Sequence, residues 1–138
     1  MTRGPVVVLT CDPAAVRRFW LDEYAPEVLA TEARPYPASE TIAVALGGAT
    51  TVLPVPIRLD CYDGFNEAYY GRPEELLDVG ARLACSAWSF VGPSVVEAYV
   101  AHLRDDLVSG AWDRRFGHLR TQPWFDGSLR LIVGTSPP

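Results

Sequence analysis

At 138 residues, with 49% hydrophobic and 21% charged residues and a formal net charge of −5, the chain has the make-up of one globular domain with a real core. The acidic balance argues against a general nucleic-acid binder, which needs a basic face; Arg17-Arg18 and Arg114-Arg115 are too short to supply one. The apolar runs fall well short of the ~18–20 residues of a membrane span, and no basic segment leads into an apolar one after Met1, so the expected location is the cytoplasm.

All twelve basic residues are Arg, and Ala, Gly, Pro and Val are abundant, the composition of a GC-rich coding sequence, for which a bacterial source is expected. Cys11, Cys61 and Cys85 are widely spaced with no Cys-x-x-Cys, which indicates neither a disulfide framework nor a zinc site.

In chain order, Pro5 to Thr10 is a nearly continuous apolar run, the pattern of a strand buried on both faces. Asp12-Pro13 then reads as the N-cap and first position of a helix carrying Val16, Phe19, Trp20 and Tyr24 at helical spacing. Pro26 breaks or restarts it. Ser39 is the expected cap of a helix over Glu40 to Leu46, closed by Gly47-Gly48. The β-branched run Ala49 to Ile57 predicts a second strand, confined by Pro54 and Pro56 to a sheet edge or with its end outside the sheet. Strand, helix and strand in this order predict two parallel strands joined by a crossover. Pro73 opens a helical region with Leu76, Leu77, Val79, Leu83 and Trp88. Val95 to Val108 is the clearest amphipathic helix, ended by Gly110, and Ser128 to Thr135 is a final strand. Three strands with an apolar first one leave an edge in need of a neighbour.

The order of these segments resembles a known family. Gly4-Pro5-Val6-Val7-Val8-Leu9-Thr10-Cys11-Asp12-Pro13, Trp20-Leu21 and Tyr24-Ala25-Pro26-Glu27 resemble the entry to the fifth strand of class I S-adenosylmethionine-dependent methyltransferases, type 11 branch. Val55 to Phe65, Tyr69 to Pro73, Gly110 to Asp113, Gly117 to Arg120 and Asp126 to Leu131 are similar to that branch's C-terminal half. The resemblance implies an α/β fold: a partial Rossmann-like sheet of about three strands, the last antiparallel and central between Pro5–Thr10 and Ala49–Ile57. It also implies a helical substrate-side insertion over 66–120 within a single domain of 1–138. It makes S-adenosylmethionine the implied cofactor. The family's Gly-rich loop after the first strand and its acidic ribose ligand have no counterpart, so no cofactor-binding residue carries over.

The chemistry-bearing residues cluster after the second strand. Asp60 and Asp63 flank Cys61 and Tyr62, either as acid/base or substrate-orienting groups or as an Asx turn that Gly64 completes. Cys61 is a nucleophile only with His102 or His118 beside it, and otherwise a structural thiol. Tyr69, Tyr70, Trp88, Trp112 and Trp124 either line a cleft or pack the core. With His118 and Arg120 from the segment before the last strand, the candidate substrate-binding set is Asp60, Cys61, Asp63, Tyr70, Trp88, His118 and Arg120.

Three functions stay open. The first is the substrate-side half of a methyltransferase, inactive alone or completed by a partner chain carrying the cofactor half. The second is a non-enzymatic small-molecule-binding module, or one that self-associates as a homodimer through the exposed edge strand. The third is a small cyclase or hydrolase reusing the cleft.

Overall fold

The structure, a computed structural model, describes residues 4–135; the reading at Met1 lies outside them. Three strands form the main sheet: β1 (Val6–Cys11), β2 (Ala49–Pro54) and β5 (Leu129–Thr135), in the order β1-β5-β2. The last strand is central and antiparallel to both neighbours, pairing Leu131 with Leu9 on one side and Leu53 on the other. β1 and β2 are therefore parallel to each other with β5 between them.

The predicted strand Ala49 to Ile57 divides. Pro54 and Pro56 have no N–H to give, so the main ladder ends with Val55 N donating to Leu129 O at 3.0 Å. The chain then turns into β3 (Ile57–Arg58), which pairs with β4 (Trp124–Phe125) in a separate two-stranded ladder.

β1 is not buried on both faces. Side chains alternate across a sheet, and the close approach of Leu46 to Gly134 shows that α3 (Ser39–Leu46) covers the face of Gly134 and Ile132. The opposite face carries Val7, Leu9 and Leu53, and Leu9 is 62% exposed. The apolar pattern marks a surface that expects cover. Among the described residues nothing provides it.

The first helical segment is interrupted. Asp12 Oδ1 accepts from Ala14 N at 3.0 Å and starts α1 (Pro13–Val16), but Phe19 is extended, and a 3-10 turn follows over Trp20–Glu23. The helical spacing still serves burial, because Val16, Phe19, Trp20 and Tyr24 all enter the core. Pro26 restarts the chain as α2 (Pro26–Ala33). Ser39 is inside the first turn of α3, whose N-cap is Ala38, and its hydroxyl is buried without a hydrogen-bond partner. Gly47 and Gly48 stop that helix at φ +66° and +65°, a conformation costly for a residue with a Cβ.

The region 66–120 is mostly helical, in short pieces apart from one long helix: 3-10 turns at Asn66–Tyr69, Pro73–Leu77, Ser86–Phe90 and Gly117–Thr121, with α4 (Val79–Ala84), the 17-residue α5 (Pro93–Ser109) and α6 (Ala111–Phe116) between them. No helix of the described residues is long and apolar enough to cross a membrane. The core lies between these pieces and α2, and it is aromatic. Trp20 meets Trp112 edge-on at 5.7 Å and donates its Nε1–H to the Tyr70 carbonyl at 3.0 Å. The Tyr70 ring stacks on Phe125 at 5.0 Å, tying the β3–β4 ladder to the helices.

Candidate functional site

β1 and β2 end at the same edge of the sheet, opposite Leu129 and Arg130 at the start of β5. Beyond the carboxyl ends of parallel strands is where α/β sheets hold ligands. At this edge Asp12 N donates to the Ser128 carbonyl at 2.8 Å. Ser128 in turn donates its N–H to Glu67 Oε1 at 2.9 Å and its hydroxyl to Glu67 Oε2 at 2.7 Å. A Cβ on Gly127 would come within 2.6 Å of the same carboxylate, so glycine is what lets Glu67 seat against the strand. Burial raises the Glu67 carboxyl to about 7; the Ser128 bonds oppose the rise, and the nearby charge of Glu32 adds to it.

The neighbouring residue carries the arrangement outward. Asn66 is fully buried, its Oδ1 accepting from Trp88 Nε1 at 2.8 Å. That bond fixes the amide, so its NH₂ donates to Glu32 Oε2 at 2.7 Å. Burial raises the Glu32 carboxyl above its ordinary value, with the Asn66 bond working the other way. Glu32 and Asn66 line a cavity of about 580 Å³ whose other walls are Tyr36, Phe65, Cys85, Ala87 and Phe90. The Cys11 thiol at the end of β1 is pushed up chiefly by burial. The Cys85 thiol is pushed up to about 12, also by burial, which keeps it protonated and unreactive.

A second hollow of about 530 Å³ lies on the other side of Phe65, at the end of β2. Three of the predicted site residues come together there, Asp60, Cys61 and Asp63, with Tyr62 fully exposed beside them. Asp60 accepts from two Arg58 nitrogens, Nε and Nη2, each at 2.7 Å, and that hydrogen-bonded pairing holds its carboxyl below the usual value. Asp63 caps the backbone locally, accepting from Gly64 N at 3.2 Å. The Cys61 carbonyl anchors Arg72 at 2.9 Å.

The other four predicted residues are elsewhere. Tyr70 is wholly in the core, its hydroxyl donating to the Gln122 carbonyl at 2.5 Å. Trp88 is buried one residue behind the first cavity, which it shapes only through Asn66. His118 is exposed on the last 3-10 turn. Arg120 stands over the Trp112 ring at 4.9 Å and bridges Asp113 and Glu74, which engages all three of its guanidinium nitrogens. Of the other aromatics named with them, Trp112 is core and Trp124 is half exposed under Arg58.

Sequence reasoning missed Glu32, Tyr36, Asn66, Glu67 and Ser128. One signal was available: Asp126-Gly127-Ser128 was already marked as a motif, and its glycine is the contact that accommodates Glu67. Glu32 gave no signal, being one of two acidic residues on a short helix.

The fold is similar to that of a protein from Anabaena variabilis ATCC 29413, provisionally described as a methyltransferase from an antibiotic biosynthesis pathway. The TM-score is 0.89 at 26% identity, over 99% of this chain and 56% of the length of that chain. No protein-family model matches the sequence. No curated protein matches it either. The chain is thus methyltransferase-like, and it spans little more than half of the structure it resembles.

Proposed function

We propose that this chain is the acceptor-binding side of a methyltransferase of the S-adenosylmethionine-dependent type 11-like branch, corresponding to the C-terminal half of such a domain. The cofactor side comes from further polypeptide, whether joined to this segment or carried by another chain. The observation that carries the reading is the near-complete coverage of this chain against 56% of its structural neighbour.

The residues present do not fit a sulfonium nucleoside by themselves. β1 runs into Cys11-Asp12-Pro13 and β2 into Val55-Pro56, and neither turn has the glycines that let backbone approach such a ligand. The only Gly-Gly pair, Gly47-Gly48, precedes β2 and so lies at the opposite end of the sheet. What the chain does offer is a cavity with one carboxylate on its wall, able to hold or take a proton from a donor group. Isothermal titration of the purified chain with S-adenosylmethionine and S-adenosylhomocysteine tests the division of labour. No saturable heat is expected; saturable binding would show that the chain builds a cofactor site and would sink the proposal.

A second reading rests on the exposed Val7, Leu9 and Leu53 and on the outer edge of β1, left unpaired among the described residues. Such a surface suits self-association of a binding module. Sedimentation over a concentration series separates the two readings: a saturable homodimer favours the second, a monomer the first.

A further inference from the structure

We propose that the cavity between α2 and the Ser86–Phe90 turn binds an organic ammonium group, held by Glu32 and flanked by Tyr36, Phe65 and Phe90. Resting on the acceptor-side reading, this specifies the class of acceptor.

The wall carries one carboxylate, Glu32, and one guanidinium, Arg34, and the two do not pair. Glu32 is engaged by Asn66 through a single oxygen, Oε2, and no Arg pairs with it among the described residues. Arg34 is exposed. The second carboxylate, Glu67, is close enough to raise the cost of ionising the pair further. A carboxylate half-desolvated in this way gains most from a ligand that brings the missing positive charge.

The lining agrees on independent grounds. Three of the side chains lining the cavity, Tyr36, Phe65 and Phe90, are aromatic, and a cation is attracted to the face of such rings. Ala84, Ala87 and Phe90 supply an apolar wall for the body of the ligand. The Trp88–Asn66–Glu32 chain fixes the carboxylate before anything binds, which reduces the ordering cost of recognition. A hydroxyl compound could accept or donate one hydrogen bond here, but it would leave the charge uncompensated.

The test uses three probes of one shape, phenethylamine, 2-phenylethanol and 3-phenylpropionate, titrated into the chain with no methyl donor present. Binding of the amine is expected at least tenfold tighter than of the alcohol, with the acid weakest. Glu32→Gln should erase the preference for the amine, and far-ultraviolet circular dichroism would confirm that the variant is folded. Phe90→Ala, at an exposed position, should weaken the amine severalfold while keeping its lead over the alcohol. Equal binding of amine and alcohol, an unchanged preference in folded Glu32→Gln, or no binding of the amine at millimolar concentration would each overturn the inference. Because no donor is used, amine binding survives if the methyltransferase reading fails, and the two failures are told apart.

Discussion

The helical layer and the three-stranded sheet are built to different standards. The helical layer encloses Trp20, Tyr70, Trp88, Tyr99 and Trp112, whose polar tips donate to Tyr70, Gln122, Asn66 and Leu76 in turn, with only Trp112 Nε1 left without a partner among them. The sheet fully buries one of its large side chains, Ile132, and leaves Leu9 and Val7 open on the face away from α3. The helical layer contains its own core, so it holds the chain together. The sheet supplies an edge for the site and a surface that calls for a neighbour.

Truncation at the centre of the aromatic core should have the largest effect. Trp112→Ala removes a fully buried ring and leaves a cavity, which costs ~3–5 kcal/mol, measured by urea unfolding. If the loss is below ~1 kcal/mol, the helical layer is not the stabilising part and the contrast fails.

The seam between the two regions responds to pH. Glu67 has its carboxyl raised to about 7, against 4.5 ordinarily. A raised value means the folded state holds the proton more tightly. Its contribution is complete below pH 4.5, falls as pH rises, and is gone above pH 7. The loss is at most ~3 kcal/mol for a shift of this size. Glu67→Gln, which keeps an oxygen for Ser128, should flatten that part of the stability profile. Melting temperatures of both proteins from pH 4 to 8 would check it, and parallel curves would refute it.

Tyr70→Phe deletes one buried hydroxyl and frees the Gln122 carbonyl, so a loss of ~1 kcal/mol is expected by the same urea measurement. The smallest effect belongs to the sheet. Leu9→Ser should change unfolding stability by less than ~0.5 kcal/mol, because its side chain gives up little burial. If instead stability depends on protein concentration and Leu9→Ser abolishes that dependence, the open face is covered by a second copy.

Much of the fold was legible where a local rule governs. Asp12-Pro13 starts a helix through its own side chain, Gly47-Gly48 stops one through backbone freedom, and Val95 to Val108 falls within α5 because its apolar residues repeat at the helical period. Val16 to Tyr24 shows the limit, since the same spacing buries four side chains although the backbone extends at Phe19. The site was harder to read. Asp60 and Asp63 stand out in a sequence because acids and turn residues cluster there, yet one is paired with Arg58 and the other caps its own turn. Glu32 and Glu67 matter because of Asn66 and Ser128, partners 34 and 61 residues away. Separations of that size leave no pattern in a sequence.

The pairing of Val6 with Gly134 has a kinetic meaning as well. Every ladder in the main sheet includes β5, so β1 and β2 have no mutual hydrogen bonds and must wait for the last strand. Contacts between such distant positions close slowly, since the loop entropy is spent before the contact returns anything. During synthesis the helical layer can gather first, while two apolar strands wait unpaired for the ribosome to release the segment that joins them. Moving the β5 segment ahead of β1 by circular permutation should therefore speed refolding, and it would leave the strand order unchanged.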